Sequence, residues 1–91
     1  MPKFLIERDI PGAGNYTPQQ LAAISESSCR TLRGIDTEVQ WLTSFVTADK
    51  IYCIYIAPDE YVILSHAFEG GFPANIITQI HSVVDPNYAD A

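Results

Sequence analysis

The 91-residue chain is short of positive charge: it has 5 Lys and Arg against 11 Asp and Glu, and a net charge of −6. The few cations never cluster along the sequence, so the chain lacks the basic surface that binding to a phosphate backbone requires. This composition argues against nucleic acid and anionic membranes as partners. The excess of carboxylates is compatible with solubility and with binding a divalent cation.

Long apolar runs are also missing. No segment approaches the roughly 18 apolar residues that a membrane-spanning helix needs, and the first residues carry charge too early for a secretory leader. We therefore expect a cytoplasmic protein. The two cysteines, Cys29 and Cys53, have neither CxxC nor zinc-finger spacing, and we expect both to be free thiols.

Phosphate-binding and hydrolytic motifs are absent as well. The glycine-containing segment 11–15 matches neither GxxxxGK[ST] nor GxGxxG. Ser25, Ser27 and Ser28 have no histidine nearby in the sequence that could serve as a base. No motif identifies an enzyme, and whether the protein catalyses a reaction stays open at this stage.

What the chain does contain is a regular series of secondary-structure signals. Thr17, Pro18 and Gln20 form a helix start with a capping box, and Asp59 is placed to cap a second helix. The predicted elements are strand 3–9, helix 18–33, strand 39–47, strand 51–56, helix 59–69 and strand 76–84. The order βαββαβ predicts one α+β domain over residues 1–91 with a ferredoxin-like fold, in which two helices cover one face of a four-stranded antiparallel sheet.

The second face of this sheet is predicted to be too apolar to meet water. Alternation along the strands assigns to the helix-covered face Phe4, Ile6, Leu42, Val46, Tyr52, Ile54, Ile56, Ile80 and Val84. It assigns to the second face Leu5, Glu7, Trp41, Thr43, Phe45, Cys53, Tyr55, Ile77, Gln79, His81 and Val83. Such a face favours a homodimer with two-fold symmetry, the alternative being a cover formed by loops or by the C-terminal tail.

His66 is the first candidate metal ligand. A helical wheel places it on one side with Asp59, Ile63 and Glu69, whereas the predicted core side holds Tyr61, Leu64, Ala67 and Phe68. Glu69 follows His66 by about one turn, so the pair can offer an imidazole and a carboxylate to one cation. The alternative is a surface histidine in an acidic patch.

His81 and Glu7 are further candidates. The alternation along the last strand places His81 on the predicted dimer face, where two copies can meet across a two-fold axis. Neutral imidazole is a suitable ligand for Ni, Cu and Zn. The alternative is a hydrogen-bonded interface histidine. Glu7, with Arg8 and Asp9 near the end of the first strand, predicts either a salt-bridged edge or a cation site.

A series of short motifs runs through nearly the whole chain. In order they are Glu7-Arg8, Pro11-Gly12-Ala13, Trp41, Ser44-Phe45-Val46, Tyr52-Cys53-Ile54-Tyr55-Ile56-Ala57-Pro58, His66-Ala67, Gly70-Gly71-Phe72-Pro73 and Val84-Asp85-Pro86. Over residues 3–86 the sequence resembles a family of small bacterial proteins long described as a domain of unknown function. The resemblance implies a ferredoxin-like fold, a homodimer and, for at least one member, nickel binding at the dimer surface.

Three functional hypotheses result. The first is a dimeric protein that binds or sequesters Ni²⁺ or a similar divalent ion, with the candidate ligands His66, Glu69, Asp59, His81 and Glu7. The alternative is a dimeric small-molecule-binding protein or enzyme of the monooxygenase or cyclase kind, with a pocket near the sheet lined by Trp41, Tyr55, Cys53, Glu7 and His66. The third is a structural or regulatory interaction module. A pocket lined by Glu7, Cys53 and Tyr55 would favour the alternative, and a solid core with surface histidine and carboxylate pairs would favour metal binding.

Overall fold

A computed structural model describes residues 1–34 and 38–90 of the chain. Its strands and helices are β1 (Lys3–Asp9), α1 (Pro18–Arg33), β2 (Gln40–Val46), β3 (Lys50–Ile56), α2 (Glu60–Gly70) and β4 (Ile76–Ile80). Short 3-10 helices occupy Ala13–Asn15 and Pro86–Asp90. The predicted βαββαβ order and α+β class are confirmed, although the last strand ends at Ile80 and not at residue 84.

The four strands form one antiparallel sheet in the order β2-β3-β1-β4. Strand β1 is central and pairs with both β3 and β4, so the first strand of the chain holds the sheet together. Both helices cover the same face, because Tyr55 of β3 bonds His66 of α2 and lines a cavity together with Ser28 of α1. Neither helix of the described residues has the length and apolar character that crossing a bilayer needs.

The helix ends follow the sequence signals. The Thr17 hydroxyl accepts a hydrogen bond from the Gln20 amide at 3.2 Å, and the Gln20 side chain accepts one from the Thr17 amide at 2.8 Å. This is the predicted capping box. The Asp59 carboxylate caps α2 by accepting from the Val62 amide at 3.0 Å, and Gly71 ends α2 with φ 72°, a left-handed conformation that favours glycine.

The core lies between the helices and the covered face of the sheet. Its buried apolar side chains are Phe4, Ile6, Ala13, Ile51, Cys53, Tyr55, Ala57 and Ile63. The prediction for β1 is confirmed, since Phe4 and Ile6 are buried on the helix-covered side. The prediction for β3 is wrong: Cys53 and Tyr55 point towards the helices, and Tyr52, Ile54 and Ile56 point away from them.

The reason for this error lies in β3 and β2. Both sides of β3 are apolar, so alternation alone cannot tell which side the helices cover. In β2 a register shift between Trp41 and Thr43 reverses the alternation, so Trp41 lies opposite Tyr55 on the covered face. Ile77 also lies on the covered face, opposite Ile6. We call the uncovered side the open face; its apolar residues are Leu5, Phe45, Tyr52, Ile54, Ile56, Ile76 and Ile80.

Helix α2 is also turned differently from the predicted wheel. Ile63, His66 and Ala67 face inwards and are buried. Tyr61, Leu64 and Phe68, which were predicted in the core, are exposed, and Phe68 is 88% exposed. Because α2 carries apolar side chains on both sides, its pattern does not identify the buried side.

Candidate functional site

A cavity of about 530 Å³ opens between α1 and the covered face of the sheet. We call it the Arg8 pocket. Its polar lining residues are Arg8, Ser25, Ser28, Ser44, Cys53 and Tyr55, and its apolar ones include Ile24, Trp41, Ile51 and Phe72. The walls are predominantly apolar and carry a few polar groups, which is the usual composition of a small-ligand site.

Arg8 reaches this pocket because it continues the alternation of Phe4 and Ile6 along β1, and it is only 3% exposed. Its Nη1 donates to the Pro73 carbonyl at 2.6 Å, and its Nε donates to Cys53 Sγ at 3.4 Å. The guanidinium carbon lies 5.7 Å from the centre of the Phe72 ring. Among the described residues, no carboxylate forms an ion pair with Arg8.

A chain of hydrogen bonds crosses the floor of the pocket from β2 to β3. Trp41 Nε1 donates to Ser44 Oγ at 2.9 Å, and the Ser44 hydroxyl donates to Cys53 Sγ at 3.0 Å. The Cys53 sulfur therefore accepts from both Ser44 and Arg8. Cys53 and Cys29 are both free cysteines, as the sequence predicts.

Tyr55 and His66 form the buried polar pair next to Arg8. The Tyr55 hydroxyl lies 3.0 Å from His66 Nε2, and His66 is 0% exposed. Burial, together with the positive charge of Arg8, lowers the pKa of His66 to about 4. Burial also raises the pKa of Tyr55, which the Ser28 hydroxyl and the Arg8 guanidinium partly oppose. Both side chains are neutral at pH 7, and His66 Nδ1 is buried without a hydrogen-bond partner among the described residues.

The structure does not bring the predicted metal ligands together. The expectation that His66 lies on the surface beside Glu69 is wrong, because His66 is in the core and Glu69 is exposed. Asp59 is occupied as the cap of α2. His81 is exposed just after the end of β4. Within residues 1–34 and 38–90, no group of three or more His, Cys, Asp and Glu side chains is arranged to hold a metal ion.

Glu7 lies on the sheet side opposite the pocket. Lys50 Nζ is 3.8 Å from the Glu7 carboxylate and 3.5 Å from the Asp9 carboxylate. The Asp9 carboxylate is the main reason why the pKa of Lys50 is raised, with Tyr52 and Glu7 adding to it. Glu7 therefore belongs to a salt-bridged edge, which is one of the two readings that the sequence allowed.

Of the pocket residues that the sequence predicted, Trp41, Cys53 and Tyr55 line the cavity. Glu7 is on the opposite side of the sheet. His66 is not part of the cavity lining, but it is hydrogen-bonded to the lining residue Tyr55. Sequence reasoning missed Arg8 as a pocket residue. The signal was available, since Arg8 shares the parity of Phe4 and Ile6 and a charge on a buried strand face is unusual.

Comparison with known proteins gives two findings. Residues 4–80 match a family model described as nickel responsive protein SCO4226-like. The crystal structure of SCO4226 from Streptomyces coelicolor A3(2) matches with a TM-score of 0.76 and 16% sequence identity, covering 90% of this chain and 99% of that one. At this identity the likeness establishes the fold alone. No curated protein matched the sequence.

Proposed function

Since the chain belongs to the family of nickel responsive SCO4226-like proteins, we propose that it serves a nickel-related response by binding a small organic molecule in the Arg8 pocket. The match agrees with the motif resemblance to a small bacterial family with a nickel-related member. Responsiveness to nickel does not require the responding protein to hold the metal itself. A protein that binds an organic molecule can act in the same response.

The cavity is the observation that carries this proposal. A volume of about 530 Å³ lies within the range of about 300–1,000 Å³ that is usual for small-ligand sites. Cys53 and Tyr55 line it, as the small-molecule hypothesis required, although Glu7 does not. Hydroxyl, thiol and guanidinium groups converge on apolar walls, so the site can orient a ligand as well as bury it.

The test is to fill the pocket from α1. Ser25 lines the cavity, so Ser25→Phe places a ring inside it, whereas Ala22→Phe puts the same ring on the exposed side of the same helix. The probes are 2-naphthoate and 2-naphthamide, followed by NMR titration of the backbone amides. We expect at least one probe to shift the amides of pocket residues, and Ser25→Phe to weaken its binding about tenfold or more, as loss of a large apolar contact does. Ala22→Phe should bind as wild type.

If neither probe binds the wild-type protein at millimolar concentration, the pocket is not a ligand site and this proposal is wrong. If Ser25→Phe binds as tightly as wild type, the probe occupies another surface.

The family description favours direct nickel binding as a second candidate. The described residues of one chain do not fit a nickel centre, because they contain no group of three ligands. His66 is unsuitable since it is buried beside the Arg8 cation, which opposes a second positive ion. We propose that any direct Ni²⁺ site uses the exposed imidazole of His81, completed by groups of a second copy. Carboxylates alone prefer harder cations.

Calorimetric titration with nickel chloride tests this second candidate. His81→Ala should weaken binding about tenfold or more, and His66→Ala should leave it unchanged. Equal binding by wild type and His81→Ala would exclude His81 as the ligand.

We also propose that the protein is a homodimer, formed through the open face. Support comes from the apolar residues of this face, including Leu5, Ile54 and Ile56, which lie on the side opposite α1 and α2. Val83 and Val84, the apolar residues that follow β4, are exposed, so these two side chains are not buried against the sheet. A self-complementary pairing of two such faces buries them both.

A further inference from the structure

We propose that the Arg8 pocket recognises its ligand through a carboxylate group, with the Arg8 guanidinium as the anchor and the apolar walls holding a flat apolar body. This inference rests on the proposed ligand-binding function and specifies the class of ligand. The ligand is a small monocarboxylic acid.

Arg8 carries a buried charge that no described carboxylate balances. Among the described residues, Arg8 is the one buried side chain that is ionised at neutral pH, since the other buried polar groups are Ser28 and the neutral His66. Lys50 and Arg30 have carboxylate partners, and the two other cations, Lys3 and Arg33, are not buried. Arg8 is buried, and no carboxylate of the described residues forms an ion pair with it. A buried charge without an ion partner is costly, and an acidic chain could have supplied one. An incoming anion would balance it.

The Arg8 guanidinium also has donor capacity left for a ligand. Nη1 donates to the Pro73 carbonyl and Nε to Cys53 Sγ, whereas Nη2 makes no hydrogen bond of good geometry to a described residue, although the guanidinium is close enough to the Tyr55 hydroxyl to oppose the rise of its pKa. Arg8 lines the cavity, so a bound molecule can reach it. A guanidinium offers its N–H groups in a planar fork, and a carboxylate matches this geometry better than any neutral group does.

The remaining walls of the pocket fit the apolar part of such a ligand. The pocket walls near Arg8 include the rings of Trp41, Tyr55 and Phe72, together with aliphatic side chains such as Ile24. The Tyr55 phenol and the Ser28 hydroxyl are neutral, so Arg8 is the one charged group of the lining besides Asp9 at the rim. A single buried cation suits one negative charge, and aromatic walls suit a flat apolar body.

The test compares two probes of the same shape, 2-naphthoate and its neutral analogue 2-naphthamide, on wild type, Arg8→Gln and Arg30→Gln. Calorimetry should show wild type binding naphthoate about tenfold or more tightly than naphthamide, since hydrogen bonds to charged groups are the stronger ones. Arg8→Gln should weaken naphthoate by about the same factor and change naphthamide little. Arg30→Gln, which removes an exposed arginine of α1, should behave as wild type.

Arg8→Lys provides a second variant in case Arg8→Gln folds poorly. It keeps the charge but loses the fork, so it should retain a preference for naphthoate with weaker binding than wild type. Equal binding of the two probes by wild type would overturn the carboxylate proposal while leaving the pocket function intact. Unchanged naphthoate binding in Arg8→Gln would show that Arg8 is not the anchor. Failure of both probes to bind would overturn the ligand-binding function together with this inference.

Discussion

Each face of the sheet has one feature that is unusual for a soluble monomer. The covered face, packed under two helices, holds Arg8 and lies against the buried His66. The open face, on the side opposite α1 and α2, carries isoleucines such as Ile54 and Ile56. A monomer would normally place polar groups towards water and apolar groups towards the core.

This contrast separates two functions. Arg8 has hydrogen-bond partners but forms no ion pair with a described carboxylate, and a buried charge of this kind costs stability, which supports the proposed role in binding. Apolar groups on an open face are stable when a second surface covers them. The inner side of the sheet is therefore suited to a small ligand, and the outer side to a second copy of the chain.

The largest expected effect comes from placing a charge on the open face. We expect wild type to sediment at about twice the 10.1 kDa mass of one chain, and Ile54→Glu to be monomeric because two carboxylates would be buried at the pairing surface. Leu64→Glu is the control, since it places the same charge on the exposed apolar side of α2. Sedimentation of wild type at 10.1 kDa in the micromolar range, or dissociation by Leu64→Glu alone, would contradict the assignment.

The next effect tests the covered face through its pH dependence. The unfolded chain binds a proton on His66 as the pH falls through 6.5, whereas the folded chain does so only near its pKa of about 4. Acid therefore favours unfolding, and this one group should remove about 2 kcal/mol of stability between pH 7 and pH 5.

Urea unfolding at the two pH values measures this loss. In His66→Gln, the loss of unfolding free energy between pH 7 and pH 5 should be smaller by about the same amount. His81→Gln, which changes an exposed histidine, should lose as much stability as wild type. An unchanged slope in His66→Gln would show that His66 is not held neutral by burial.

The smallest effect concerns the cost of keeping Arg8 in the core. Arg8→Met preserves a long apolar side chain against the Phe72 ring but removes the unpaired charge, so the ligand-free protein should gain about 1 kcal/mol of unfolding free energy. Arg30→Met, at an exposed site, should change it by less than about 0.5 kcal/mol. Chemical denaturation measures whether the unfolding free energy of Arg8→Met rises or falls. A clear fall would mean that Arg8 serves the fold instead of a ligand.

The order of elements could be predicted from the sequence because local chemistry determines it. The capping box of Thr17 and Gln20, the cap at Asp59 and the glycine stop at Gly71 are signals carried by a few neighbouring residues. These signals fix where helices begin and end without reference to the rest of the chain. The element order that these signals give predicts the fold class and the antiparallel sheet, and both were confirmed.

The two faces could not be assigned from the sequence because the deciding facts are tertiary. Strand β3 is apolar on both sides, and the register shift after Trp41 changes the parity of β2 without a Gly or Pro to mark it. Helix α2 raises the same problem, since Phe68 and Ile63 are equally apolar but only Ile63 is buried. His66 was placed on the surface for this reason.

The hydrogen bond from Arg8 to the Pro73 carbonyl joins positions that are 65 residues apart. Closing so long a loop costs conformational entropy, so contacts of this kind form late, after the local β2–β3 hairpin. The pocket is thus completed by contacts between distant parts of the chain. If it binds a ligand as proposed, bound ligand reports only those molecules that have completed folding.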